Sequence, residues 1–329
     1  MAIITTSDLT KVYGRDFVAV DHLNIEIEKG EVFGLLGPNG AGKTTTIKML
    51  TTVLKPSGGT AVIDGHDIIR DSLAVRKVIG VVPQDLTTDE DLKGIENLMM
   101  VSRFYNVPEE RARETIKELV RLVDLEGAMQ RYVRQYSGGM RKRLELIAGL
   151  VHSPKVLFLD EPTLGLDVQT RSQMWKHIEE VRENLGVTII LTSHYLEEVD
   201  ALSDRVAIID HGKIIASGTP AELKASLRGD VITITVSSEN DVEKMLEYRG
   251  ATEVKDLGGN RVRLKVQSAD REMASLMNYI VSSGISVTGI NVQKPSLDQV
   301  FLEYTGREMK DEEPGDFRSM MMRMRRLRR

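Results

Sequence analysis

The sequence predicts a two-part protein: an α/β domain with a parallel sheet built around a phosphate-binding loop, then a small α+β domain. Three observations carry this. Gly37-Pro38-Asn39-Gly40-Ala41-Gly42-Lys43-Thr44 fits the pattern G-x-x-x-x-G-K-[ST], with a buried strand pattern before it and a helical one after it. Short apolar runs at 78–82, 156–159 and 187–192 are separated by helical stretches, as in a sheet covered on both faces. From residue 231 the pattern runs β-α-β-β-α-β, a ferredoxin-like order.

Composition sets bounds on function. The chain has 329 residues, enough for two domains, with 41% hydrophobic and 28% charged residues. A net charge of −5 gives no global attraction to nucleic acid. There is no cysteine, so no disulfide or thiolate metal site is possible, in keeping with a reducing compartment. Residues 1–6 lack a signal-peptide layout, and no apolar run approaches the ~20 residues of a membrane span. Any membrane role is expected to come through a partner.

In chain order, residues 2–12 and 23–28 alternate apolar and polar, as half-buried strands do. Tyr13 falls between them, either as a ring able to stack on a base or as an ordinary strand tyrosine. In the loop, Gly37, Gly40 and Gly42 allow tight turning and close approach to an anion, with N–H groups aimed inward. Lys43 has the reach for β- and γ-phosphates and Thr44 a hydroxyl for Mg²⁺. The helix from Thr45 onward presents its positive end to the loop. After a turn at 55–59 and a strand at 60–65, the run 78–82 ends at Pro83-Gln84. Gln84 is a neutral amide that can orient water or complete a Mg²⁺ shell, or a plain loop glutamine. Residues 86–155 read as helical, with an apolar stripe over 92–105 and a helix beginning near Pro108. Met140, Leu144, Ile147 and Val151 share one face of a helix that starts after Ser137-Gly138-Gly139. That start is a second anion-ready site or a simple serine cap.

The run 156–159 ends at Asp160-Glu161. In a strand two adjacent carboxylates point to opposite sides, so one can serve Mg²⁺ and the other polarise water. Gly165-Leu166-Asp167 is a tight connection before a helix over 170–185 that holds Trp175. The run 187–192 ends at Ser193-His194, another strand end like those of Gln84 and Asp160. A hairpin turns at His211-Gly212.

Taken together these motifs resemble an ATP-binding cassette (ABC) ATPase subunit, over about residues 3–225 in family order. The loop matches Walker A and Gln84 the Q-loop. Residues 136–140 match the signature, and Leu159-Asp160-Glu161 match Walker B. Residues 165–167 match the D-loop, His194 the switch histidine and Tyr13 the adenine-stacking aromatic. One departure is Met140, where the family usually has glutamine. Residues 214–223 and 295–301 are similar to the daunorubicin-resistance type of drug-exporter ATPase. The resemblance implies a P-loop NTPase fold: a RecA-like core, an antiparallel β subdomain and an inserted helical signature subdomain at about 86–155. The ATPase domain would span 1–225 and the ferredoxin-like accessory domain 228–306. A basic tail over 307–329 is expected to be disordered and either solvated or lipid-facing.

The resemblance also implies ATP and Mg²⁺ as cofactors. Residues 37–45 (Gly37 to Thr45), Tyr13, Ser137, Gly138, Gly139 and Asp167 would hold nucleotide. Thr44, Gln84 and Asp160 would arrange the metal, and Glu161, His194, Gln84 and Lys43 would act in catalysis. Expected partners are an integral-membrane permease and a second ATPase subunit, with no nucleic acid, at the cytoplasmic face of the membrane. The rival is a non-transport cassette protein acting on ribosomes or DNA. Such proteins usually carry two cassettes or a long coiled coil, and neither pattern is present. A nucleotide-gated scaffold without turnover is the non-enzymatic alternative. The second domain shows no catalytic constellation and is regulatory, dimer-stabilising or passive.

Overall fold

A computed structural model describes residues 1–306 except Arg15, His194 and Arg228; the expected tail at 307–329 and the switch histidine fall outside the described residues. The chain forms two compact units, the first Met1–Thr219 and the second starting at Pro220.

The first unit runs β1 (Ala2–Tyr13), β2 (Phe17–Leu23), β3 (Glu26–Glu28), β4 (Val32–Leu36), α1 (Lys43–Leu50), β5 (Gly58–Ile63) and β6 (His66–Asp67). It continues through α2 (Ser72–Val78), β7 (Ile79–Val82), α3 (Gly94–Phe104), α4 (Glu109–Leu122) and α5 (Gly138–Ala148). It closes with β8 (Val156–Asp160), α6 (Val168–Leu185), β9 (Thr188–Ser193), α7 (Leu196–Leu202), β10 (Arg205–Asp210) and β11 (Lys213–Gly218). Five strands form a parallel sheet in the order β10-β4-β9-β8-β7, and β11 adds antiparallel to β10. Register lines up the carboxyl ends: Leu36 pairs with Ser193, Thr192 with Asp160, and Leu159 with Val82. The segments that leave these four ends therefore start side by side, which is where open α/β sheets bind ligands.

The apolar runs behave as strands buried on both faces. In β8, Leu157 and Leu159 enter a core shared with α3 to α6, whereas Val156 and Phe158 enter a second core with β1, α1 and β5. The second core lies against a smaller antiparallel sheet, β2-β1-β5-β6, whose strand β1 also pairs with β3.

That sheet departs from the sequence expectation. The alternating run 23–28 is two strands, not one, and β2 over Phe17–Leu23 is an additional strand. The break is at Asn24, whose amide donates to Asp8 Oδ1 (2.9 Å) and to the His22 carbonyl (3.0 Å), while its Oδ1 accepts from the Asp8 N–H (2.9 Å). The chain thereby passes from one half of the long β1 to the other. The signature helix also ends at Ala148, so Val151 is buried in the following turn and not on the helix itself.

The second unit holds α8 (Pro220–Ser226), β12 (Asp230–Val236), α9 (Glu239–Leu246), β13 (Glu253–Gly258), β14 (Arg261–Val266), α10 (Ala269–Ser282), β15 (Val287–Gln293) and α11 (Leu297–Thr305). Its antiparallel sheet has the order β13-β14-β12-β15, the ferredoxin-like arrangement. Ile232, Ile234, Val262 and Leu264 face a core with Met245, Leu276 and Ile280, so one sheet face carries the helices. Ser296 caps α11 by accepting from the Gln299 N–H (3.3 Å).

Candidate functional site

The loop between β4 and α1 needs its glycines for two different reasons. A Cβ on Gly37 would lie 2.3 Å from the Ile209 carbonyl oxygen, so that position is fixed by close packing on β10. Gly40 has φ +81° and open space around it, so backbone conformation alone excludes a side chain there. Gly42 meets both limits, with φ +112° and a would-be Cβ 2.5 Å from the Ala19 carbonyl oxygen. It immediately precedes α1, leaving the first helical N–H groups toward the loop. Pro38 and Asn39 complete the turn, which Ala41 closes by donating its N–H to the Pro38 carbonyl (3.1 Å). Thr44 and Thr45 are half-buried in the first helical turn.

Lys43 is 5% exposed, and its Nζ donates to the Gly37 carbonyl and to that of Pro38 (3.2 Å). Burial pulls its pKa down, while the charges of Glu161 and Asp160 push it back up. The ammonium thus sits within its own loop, facing the two carboxylates. Anionic oxygens placed there would replace those carbonyls as partners of a buried cation.

Asp160 is the last residue of β8 and accepts a 2.6 Å bond from Thr192 Oγ1 on β9. Burial raises its pKa; the Thr192 bond and Lys43 oppose that, and Glu161 adds to it. A desolvated carboxylate beside another carboxylate suits a divalent cation, and Thr44 lies on the adjacent helix start. Those residues fit Mg²⁺.

Glu161 falls outside the strand on which the expectation of its orientation opposite Asp160 rests. It lies past the end of β8 with φ 52°, so strand alternation no longer applies. Its N–H donates to Thr192, at the carbonyl (3.1 Å) and at Oγ1 (3.2 Å). Both carboxylates act electrostatically on Lys43. A left-handed glutamate is an uncommon conformation of the kind found at functional sites.

Gln84 is exposed just after β7, and its carbonyl accepts from Lys142 Nζ (2.8 Å). The Lys142 ammonium is itself within electrostatic reach of Asp160 and Glu161. Lys142 thereby links the Gln84 segment electrostatically to the carboxylates.

A second group forms around Ser137, Gly138 and Gly139. Ser137 Oγ caps α5 by accepting from the Met140 N–H (3.3 Å), so the simple cap is realised. A Cβ on Gly139 would lie 2.4 Å from Thr170 Cγ2, and one on Gly138 4.0 Å from Leu166 Cδ2. The signature start therefore packs on the connection 165–167 and the first turn of α6. Asp167 caps α6 by accepting from the Thr170 N–H (3.0 Å) and Oγ1 (2.7 Å), which lower its pKa. Ser137 and Gly138 are exposed. Tyr13 stands at the end of β1, 41% exposed and stacked on Phe17 at 6.4 Å. It pairs with Phe17 of β2, the strand whose Ala19 borders Gly42.

Sequence reasoning missed Thr192, Lys142 and Glu145. Thr192 is legible only once β8 and β9 are known to be neighbours. The other two sit among charged residues that composition assigns to the surface.

Comparison with known proteins supplies the context. Residues 20–164 match the family described as "ABC transporter", and residues 218–305 match "ATP-binding protein DrrA1-3-like, C-terminal domain". The chain is 41% identical to the daunorubicin/doxorubicin resistance ATP-binding protein DrrA of Streptomyces peucetius, over 94% of each chain. It is 37% identical to the Nod factor export ATP-binding protein I of Cupriavidus metallidurans, over 94% of this chain and 99% of that one. Among solved structures, cbiO1 of Clostridium perfringens, part of the ABC transporter complex cbiONQ, superposes with a TM-score of 0.63 at 30% identity. That match covers 69% of this chain and 92% of the other.

Proposed function

This chain belongs to the ATP-binding subunits of ABC transporters, and from that premise we propose how its residues divide the work of ATP hydrolysis. It is an ATPase subunit of an exporter. The observation that carries the site assignment is the shared burial of Lys43 at the start of α1 and of Asp160 and Glu161 at the end of β8.

Lys43 and the N–H groups of residues 40–45 hold the β- and γ-phosphates. Thr44, Gln84 and Asp160 would hold Mg²⁺, which supplies charge neutralisation on the phosphate oxygens when bound. Glu161 accepts the proton of the attacking water as its oxygen bonds to the γ-phosphorus and the bond to ADP breaks. His194 contacts the γ-phosphate, and Tyr13 stacks on the adenine. Ser137, Gly138 and Gly139, with Asp167, serve the nucleotide of a second copy. The exposure of Ser137, Gly138 and Asp167 and the neutral start of α5 fit an element that meets its ligand only when another subunit brings it.

No described helix is long and apolar enough to cross a membrane, and the proposed partner is a membrane permease on a separate polypeptide. The groove on α3 lined by Leu92, Ile95, Met99, Met100 and Phe104 is the proposed docking surface for it, with Phe104 74% exposed. ATP-driven closure of two subunits would pull on the permease there, and hydrolysis would release it. A drug or other small amphiphile is the proposed cargo class, in line with the relatives' resistance functions. The second unit takes an accessory, non-catalytic role.

Glu161→Gln tests the reading. Turnover should fall about 10²- to 10⁴-fold, ~3–5.5 kcal/mol of barrier, while ATP binding persists and a closed dimer accumulates. Turnover near wild type would remove Glu161 as the base.

A further inference from the structure

We propose that Lys142 and Glu145 form a two-point clamp that makes residues 84–88 and helix α5 move as one body. They would be positioning residues that couple the two nucleotide sites. The proposal rests on the assignment above of Gln84 to one site and Ser137 to the other.

Both side chains lie on the buried face of α5, at 7% and 2% exposure. Buried charges are tolerated only when bonded, and each is spent on the same short segment. Lys142 Nζ donates to the Gln84 carbonyl at 2.8 Å. Glu145 Oε1 accepts the N–H groups of Thr87 and Thr88 at 2.6 Å each, and its Oε2 accepts Thr87 Oγ1 at 2.7 Å. One turn apart on a helix, the pair grips a carbonyl at one end of the segment and two amides at the other. Residues 83–88 lie in no helix or strand, so regular backbone pairing does not fix them. Asp85, Asp160 and Glu161 also act on Lys142, which places the clamp's cation beside the hydrolytic carboxylates.

The consequence is mechanical. Ser137 caps α5 five residues before Lys142, about 7.5 Å along a stiff helix. A shift of Gln84 toward a bound metal in one site must carry α5 with it. It thereby moves the Ser137 element offered to the other copy's site. Occupancy of one pocket then biases the completion of the next, a coupling of the kind that changes affinity about 5- to 150-fold.

The test uses the full chain with Lys142→Met, Glu145→Met, Lys142→Arg, Glu145→Gln and Thr87→Val. Thr87→Val removes one bond from the loop side without stranding a charge, and so serves if the methionine variants do not fold. Amide hydrogen exchange is read first, in nucleotide-free protein, over residues 84–91. Both methionine variants should exchange the Thr87 and Thr88 amides about 10-fold faster or more, and Thr87→Val in the same direction to a smaller degree. Glu145→Gln, whose amide oxygen still accepts both N–H groups, and Lys142→Arg should remain close to wild type. The second readout is the Hill coefficient for ATP turnover. It should exceed 1 in the wild type and fall to about 1 in the methionine variants, with recovery in the conservative ones. Unchanged exchange, a non-cooperative wild type, or loosened amides with undiminished cooperativity would each overturn the clamp. A wild type that does not hydrolyse ATP would instead overturn the site assignment, while the exchange data would still decide whether the segment is held.

Discussion

The loop at Gly42-Lys43 and the helix start at Ser137-Gly139 are the two proposed anion sites, and they differ in what surrounds them. The first is enclosed: Lys43 is buried, two carboxylates face it, and Thr192 anchors one of them. The second is open: Ser137 and Gly138 are exposed, and the serine hydroxyl caps its own helix. Charges concentrated at one place need a ligand to be stable, whereas a neutral, solvated helix end costs nothing while it waits. On the proposed reading, the difference teaches that each chain would own the chemistry of one site and lend only a lid to the other.

The sharpest way to break this contrast is Lys43→Ala. Nucleotide affinity should drop about 100-fold, ~2.7 kcal/mol, in an equilibrium binding assay. Retained affinity would mean that the enclosed site is not where phosphate binds. Ser137→Ala should behave oppositely: nucleotide binding by the isolated subunit stays within about 2-fold, and turnover at saturating ATP falls about 10-fold. A binding defect equal to that of Lys43→Ala would erase the distinction between owner and lid.

A smaller effect comes from the burial of Asp160. Its pKa is raised in the folded state, so the fold favours the protonated form. The stability linked to that proton is present at low pH and lost as pH rises through the folded pKa. Asp160→Asn should therefore raise the melting temperature of the nucleotide-free protein by about 2–4 °C at pH 7.5. The gain should shrink as pH falls toward the ordinary value near 3.8. Added Mg²⁺ and ATP should stabilise the wild type more than the variant. A constant difference across pH would show that the carboxyl is not the titrating cause.

Much of this organisation was legible in the residues. Strands such as Val156–Asp160 announce themselves because burial on both faces demands an unbroken apolar run. The hairpin turn at His211-Gly212 follows from residue types that accept positive φ, found here at 47° and 79°. What stayed hidden depended on distant partners. The run 23–28 keeps perfect alternation, yet Asn24 breaks it by bonding Asp8, sixteen residues away. Glu161 leaves the strand pattern because the β8 ladder stops at Asp160 and the backbone turns to positive φ at the next residue. Lys142 and Glu145 belong to no sequence motif, and their role shows only once the segment after β7 is folded against them.

The most direct test of the shared pocket is a dilution series in which molar mass and ATP turnover per subunit are measured on the same samples. Turnover should track the dimer fraction and vanish where the chain is monomeric. Full turnover by a wholly monomeric population would contradict the account.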